Sequence, residues 1–375
     1  MRLETVCVHA GEYLDAETGG VNSPIFTSTA YEYLGCEEPL YQRYFNTPNQ
    51  EAVVEKLCAL EGAEDGIVCA SGMSAISTAL LSFAQAGDHV VLQDDLYGGT
   101  HAFAERGFPR LGIDCTFAPC DPEGLQAALT DKTRVLYLET PTNPLLKIID
   151  LRAMAEIARE AGVVTIVDNT FASPINQTPI PLGIDVVVHS GTKYLGGHSD
   201  LQCGAVLARR ELMEQIREIA THFGGSLNAE SCYLMERSMK TLSLRVERQT
   251  SNAMVIAQAL SDLPQIGAVY YPGLPNHPGH DLAREQMKGF GAMLSFELAD
   301  PTASAEDYMS RLQMIHPALS LGGVETKICA PATASHRTMD PEARRRIGIS
   351  DQLLRLSVGI ENTEDILSDL QQAMG

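Results

Sequence analysis

What most constrains this chain is an alternation, between residues 66 and 208, of short apolar runs with segments of helical period. Runs such as Val163-Val164-Thr165-Ile166-Val167 and Val186-Val187-Val188 scarcely interrupt their apolar character with a polar residue. A strand of that kind is covered on both faces, as in a mostly parallel sheet held between helices. The spacing predicts strands over 66–69, 89–93, 114–118, 134–139, 163–168, 185–189 and 204–208, and helices over 73–83, 122–129 and 151–161. A Gly-rich turn is expected at Gly98-Gly99. The fold class is α/β.

The flanks read differently. Residues 1–60 are rich in Gly, Pro and aromatics and end in a helix over 50–60, where Val53, Val54, Leu57 and Leu60 recur at helical spacing. This opening suits an arm better than a domain. Helical patterns over 211–220 and 230–260 follow, the second long enough to bridge two domains. Past Pro264 strands are expected over 294–298 and 354–358 and helices over 305–312 and 364–374, a smaller α+β unit. The division expected is an arm over 1–50, a large domain over 51–245 and a C-terminal domain over 246–375.

Charge narrows the partners. Among 375 residues, 27 Lys and Arg face 48 Asp and Glu, a net charge of −21, which argues against a nucleic acid or an anionic membrane. An acid stands among the first residues, where a signal peptide would be apolar, and no run reaches membrane-span length, so a cytoplasmic protein is expected. Nine cysteines lie scattered with no C-x-x-C pair, which fits free, mostly buried thiols and neither a disulfide framework nor a zinc site.

Three elements carry chemistry. In His189-Ser190-Gly191-Thr192-Lys193, after a buried strand, hydroxyls flank a lysine. Burial penalises a charged amine, so such a lysine becomes a nucleophile toward carbonyls; read alone, it is as easily a solvated surface residue. Asp168 ends another apolar strand, and in an open α/β sheet ligands bind beyond the carboxyl ends of strands, so Asp168 and Lys193 would share one crevice. Alone, Asp168 would be a loop or helix cap. In Ala70-Ser71-Gly72-Met73-Ser74, small residues open a helix whose N–H groups can receive a phosphate, or which is merely Ser-capped. Together the three supply what pyridoxal 5'-phosphate requires: an amine for its aldehyde, an acid for its ring nitrogen and a seat for its phosphate.

From His9-Ala10-Gly11 to Arg355-Leu356-Ser357-Val358-Gly359-Ile360-Glu361 the sequence resembles the pyridoxal-phosphate-dependent Cys/Met metabolism family of transsulfuration enzymes. That family has the aspartate-aminotransferase-like (type I) fold and includes cystathionine γ-synthase, cystathionine lyases, methionine γ-lyase and O-acylhomoserine sulfhydrylases. The resemblance implies that Lys193 carries the cofactor and Asp168 faces its ring nitrogen. Ser71, Gly72, Met73, Ser190 and Thr192 would hold its phosphate, and Tyr97 would stack on its ring and move protons. Tyr41 and Arg43 would reach a neighbouring subunit's cofactor, implying a dimer-completed site and favouring a tetramer. Asn143, Ser320 and Arg355, with Tyr41, would bind the substrate, Arg355 gripping its α-carboxylate. The activity implied is carbon–sulfur bond cleavage in sulfur amino acids, with γ-replacement the alternative.

Three positions depart from the pattern of members that handle cystathionine. Leu40, Ala102 and Leu319 stand where those carry polar groups for the distal amino-acid end, and Gly99 replaces a cysteine of many methionine γ-lyases. Uncompensated charges in an apolar pocket are costly, so the expected substrate has a small or apolar distal end. Ser190-Gly191-Thr192-Lys193 also fits the S-x-x-K motif of serine hydrolases, though without S-D-N or K-T-G elements. A relative that binds cofactor without turnover is a further alternative. His198, His336, His277 and His280 lack acidic or thiolate companions at ligand spacing and read as hydrogen-bonded loop residues, so no metal is expected.

Overall fold

A computed structural model describes residues 1–334 and 341–375. The first 61 residues hold helix α1 (Leu3–His9) and α2 (Pro48–Glu61). A seven-stranded sheet follows: β1 (Asp65–Cys69), β2 (His89–Gln93), β3 (Asp114–Ala118), β4 (Thr133–Glu139), β5 (Val164–Asp168), β6 (Val186–His189) and β7 (Gly204–Ala208). Its order is β1-β7-β6-β5-β4-β2-β3, parallel except where β7 pairs with β6 and β1.

Period-two alternation explains why these strands read as apolar throughout. Val90, Leu92, Val135, Tyr137, Ile166, Val186 and Val188 face one side, packed by α3 (Gly72–Phe83), α4 (Gly98–Leu111) and α8 (Arg210–Phe223). Val91, Leu136, Leu138, Val167 and Val187 face the other, under α5 (Pro122–Ala127) and α6 (Leu151–Ala161). The sheet is thus mostly parallel with helices on both faces, as the alternation predicts.

The remaining elements are α7 (Ser173–Asn176), α9 (Ala229–Met239), α10 (Leu242–Ser261), α11 (His280–Gln286), α12 (Ala305–Ser310), α13 (Pro341–Arg346) and α14 (Thr363–Gln372). A second sheet, in the order β10-β11-β12-β9-β8, comprises β8 (Ile266–Tyr270), β9 (Met293–Leu298), β10 (His316–Pro317), β11 (Lys327–Cys329) and β12 (Leu353–Ser357). Buried side chains of α2, α9, α10 and this sheet form one continuous core with Val68, Ala205 and Leu207, so the smaller unit is welded to the larger.

Four features differ from expectation. The opening segment contains α1, whose last carbonyls, Cys7 O and Val8 O, receive the buried Lys56 amine at 2.9 and 3.2 Å. Gly98-Gly99 opens a 14-residue helix, not an isolated turn, and Pro109 lies inside its last turn. The helix expected over 230–260 is broken. Lys240 and Thr241 bond only three residues back, to Arg237 O and Ser238 O, and the chain restarts at Leu242. β8 is a half-buried edge strand containing Gly267, and β11 has three residues, too little of either for a sequence pattern.

Candidate active site

The carboxyl ends of β4, β5 and β6, the N-terminus of α3, the loop over residues 319–321 and Arg355 of the second sheet line a cavity of about 710 Å³. Every site residue expected within one chain lines it: Ser71, Gly72, Met73, Tyr97, Asn143, Asp168, Ser190, Thr192, Lys193, Ser320 and Arg355. Tyr41 and Arg43 are not among its walls. Tyr41 is exposed, and Arg43 lies over the rings of Tyr41 and Tyr44, donating to Thr221 O at 2.9 Å.

Lys193 sits in the turn after β6 and its amine donates to Ser320 Oγ at 2.8 Å. Burial, with the positive charges of Arg355 and Lys327 nearby, lowers its pKa to about 8, so a neutral amine is accessible near neutral pH. Ser320 holds a left-handed backbone, φ 73°, uncommon for a residue with a Cβ. Its hydroxyl accepts from Lys193 and its carbonyl from Arg355, which together hold it there.

Asp168 ends β5. Its Oδ1 accepts the Thr170 N–H at 3.0 Å and its Oδ2 the Tyr137 hydroxyl at 3.4 Å. Burial pushes its carboxyl up, against the pull of the Thr170 hydrogen bonds and of nearby His189. Glu139, on the neighbouring strand, is pushed well up by burial and by Asp168 itself. A protonated ring nitrogen beside Asp168 would give this buried acid a directly paired cation, which it does not have among the described residues.

At the other end, Ser71 Oγ caps α3 by accepting the Ser74 N–H at 3.0 Å. The N–H groups of Gly72 and Met73 take no part in that cap and belong to the open end of the helix, where an anion is favoured. A Cβ on Gly72 would lie 2.7 Å from Ser190 Cβ and 2.8 Å from its Oγ, so the glycine is what lets the two turns meet. Thr192 is differently engaged: its hydroxyl donates to Cys203 O at 3.2 Å and accepts from Cys203 N at 3.1 Å, tying the turn to the approach of β7.

Arg355, on β12, is buried yet pairs with no carboxylate among the described residues. Nη1 donates to Asn143 Oδ1 at 2.8 Å and Nη2 to Ser320 O at 3.4 Å, while Nε has no partner. A buried guanidinium that lines a cavity and has no carboxylate partner among the described residues suits a carboxylate ligand. The residues therefore fit the cofactor and an amino-acid substrate together.

Sequence reasoning missed Glu139, whose Oε2 accepts the Tyr97 N–H at 2.9 Å and so sets the entry of α4. Its signal was its place at a strand end, opening Glu139-Thr140-Pro141-Thr142-Asn143-Pro144. His198 and His277 are hydrogen-bonded loop residues, His198 Nδ1 bonding Gly196 O and His277 Nδ1 accepting from Gly279 N, whereas His280, expected in a loop, opens α11 and bonds Pro272 O through Nδ1. His336 lies outside the described residues. Ser190 opens no helix, and the Lys193 amine bonds Ser320, which removes the geometry a serine hydrolase would need.

The chain matches the family model of the Cys/Met metabolism PLP-dependent enzymes over residues 4–375. It is 41% identical over 376 residues to the cystathionine β-lyase of Lactococcus lactis subsp. cremoris (strain MG1363), covering 99% of this chain and 98% of that one. It is 42% identical over 387 residues to the L-methionine γ-lyase of Fusobacterium nucleatum subsp. nucleatum, with the same coverage. The solved cystathionine γ-synthase of Xanthomonas oryzae pv. oryzae superposes with a TM-score of 0.96 at 40% identity, covering 100% of this chain and 98% of that one. With a full-length family match and a cavity whose walls suit the cofactor, the chain belongs to the Cys/Met metabolism PLP-dependent enzymes.

Proposed function

We propose that this protein is a carbon–sulfur lyase of sulfur amino acids, releasing a keto acid, ammonia and a thiol. The observation that carries the reading is the convergence in one cavity of a buried amine of lowered pKa, a buried acid and a guanidinium with a spare donor. Lys193 would hold the cofactor, Asp168 its ring nitrogen, and Gly72, Met73 and Ser190 its phosphate, with Ser71 shaping that seat and Thr192 bracing the turn. Bound pyridoxal phosphate supplies the electron sink that makes the substrate Cα proton acidic. Arg355 and Asn143 grip the α-carboxylate and thereby aim that Cα toward Lys193. The freed amine takes the Cα proton; release of a γ-thiol needs a second proton removed at Cβ. Tyr97, a half-exposed residue of the cavity wall, would stack on the ring and protonate the departing sulfur.

Leu319 lines the cavity, whereas Leu40 and Ala102 are not part of its wall in this chain. An apolar residue there favours a substrate with a small or apolar distal end, such as methionine, homocysteine or cysteine. The γ-replacement reading draws its support from the closely superposing γ-synthase. We further infer a homodimer-completed site, with Tyr41 and Arg43 serving the neighbour's cofactor and a tetramer built from two such dimers. Exposed Tyr13, Leu14, Val21, Tyr33 and Leu34 on the opening segment suit burial by another copy.

One experiment separates these readings: methionine, cystathionine, cysteine, homocysteine and O-acylhomoserines assayed for keto acid, sulfide and thiol. The lyase reading expects keto acid from a sulfur amino acid alone, at higher kcat/KM for methionine, homocysteine or cysteine than for cystathionine. A sulfur amino acid formed with loss of the acyl group only when an O-acylhomoserine meets a thiol, and without keto acid, would favour replacement. Lys193→Ala should abolish turnover and the visible absorbance; full activity in that variant would refute the assignment.

A further inference from the structure

Behind the cofactor site lies a buried polar assembly that the proposed chemistry does not use. Glu61 is the last residue of α2, where the helix dipole disfavours an acid, and it is wholly buried. No helical reason explains a carboxylate there. Its Oε1 accepts two hydrogen bonds, from His189 Nε2 at 2.6 Å and from Asn169 Nδ2 at 2.7 Å, and both donors are themselves buried. Asn169 directly follows Asp168, and His189 directly precedes Ser190. Strand alternation puts Asp168 and Val188 on one face of the sheet and Asn169 and His189 on the other, so Glu61 reaches the site from behind.

The assembly continues to a third strand end. Gln177 Nε2 donates to Asn169 Oδ1 at 3.0 Å and to Thr140 O at 3.0 Å, beside Glu139. Gln286 of α11 donates to Gln177 Oε1 at 2.9 Å, which fixes that amide's orientation. The carboxyl ends of β4, β5 and β6 are thereby laced together through the buried side chains of Gln177, Asn169, Glu61 and His189.

We propose that Glu61 is a positioning residue for the cofactor: one carboxylate oxygen, shared by Asn169 and His189, sets Asp168 at its working distance from the Ser190–Lys193 turn. This rests on the pyridoxal phosphate reading of Asp168 and Lys193. Asp168 and Lys193 lie on different strands, and the ring between them tolerates little slack, so a grip on both strand ends governs how firmly the cofactor is held.

The test uses holoenzyme and two readouts besides activity. One is cofactor release, followed as loss of visible absorbance after dilution with alkaline phosphatase, which destroys free pyridoxal phosphate. The other is the pH midpoint of the visible band. Glu61→Ala should speed release about tenfold or more and move the midpoint by about half a pH unit. Glu61→Gln, which keeps the accepting oxygen, should restore most of both. Lys56→Met on the same helix is the control: it breaks the bonds to Cys7 O and Val8 O, so it should lower Tm yet leave release within about twofold. The double variant Glu61→Ala, His189→Ala should release no faster than the worse single variant, the signature of one shared interaction. The proposal is overturned if Glu61→Ala leaves release and midpoint unchanged, if Lys56→Met accelerates release as much, or if Glu61→Gln rescues nothing. Failure of the underlying reading looks different: wild-type protein would then show no visible band that Lys193→Ala removes.

Discussion

Lys193 shows how one residue can be costly to fold and useful once folded. Its pKa falls from 10.5 to about 8 because burial and two neighbouring cations disfavour the charged form. Below pH 8 the amine is protonated in both folded and unfolded chains, and the cofactor-free protein bears the full cost. Between about pH 8 and 10.5 only the unfolded chain holds the proton, so stability rises with pH across that window. Cofactor-free Lys193→Met should therefore exceed cofactor-free wild type in stability at pH 7 by on the order of 3 kcal/mol. Urea denaturation at pH 7, 9 and 10 checks this: the advantage should shrink as pH rises, and a constant gap would mean that packing, not charge, accounts for it. The same cost explains why such a lysine, read in sequence with Asp168 and the Ser71-Gly72 turn, pointed to a ligand-bearing site.

At the scale of elements, the junction of α3 with the turn after β6 concentrates the design. Ser71 caps the helix and Gly72 lets Ser190 approach, so the two residues separate stability from geometry. Ser71→Ala should cost about 1 kcal/mol of stability through the lost cap. Gly72→Ala should instead drive Ser190 away, accelerating cofactor loss out of proportion to any change in Tm. Measuring Tm and visible-band retention for both checks the split; equal ratios in the two variants would contradict it. Elements with strong periodicity, such as β4 to β6 with α3 and α6, were legible because their burial is two-sided or one-faced. α4 was not, since Gly98-Gly99 and Pro109 imitate loop chemistry while Glu139 and the packing of Ala104 and Phe108 hold the helix. The break between α9 and α10 has no Gly or Pro to mark it; it lets Arg245 donate to Tyr194 O and Ser238 O, a tertiary demand that no local pattern expresses. Glu61 was illegible for a similar reason, its partner His189 lying 128 residues away.

For the whole molecule, the −21 charge bears on how copies could assemble. An acidic surface keeps copies apart, so an oligomer must be held by apolar contact and local pairing, and the exposed aromatics of the opening segment offer both alongside Arg43. If Tyr41 and Arg43 serve a neighbour's cofactor, a site draws on two chains, and two different inactive chains can repair each other. Lys193→Ala chains retain Arg43, and Arg43→Ala chains retain Lys193. In a mixed dimer, the site holding an intact Lys193 also meets the partner's intact arginine. Co-refolding the two variants in equal amounts gives mixed dimers in about half of the pairs, each with one complete site, so activity should recover to about a quarter of wild type. Neither variant alone should approach that value. Recovery no greater than the average of the two separate variants would place Arg43 in its own chain's chemistry or outside the site altogether, and would leave the opening segment a purely structural arm.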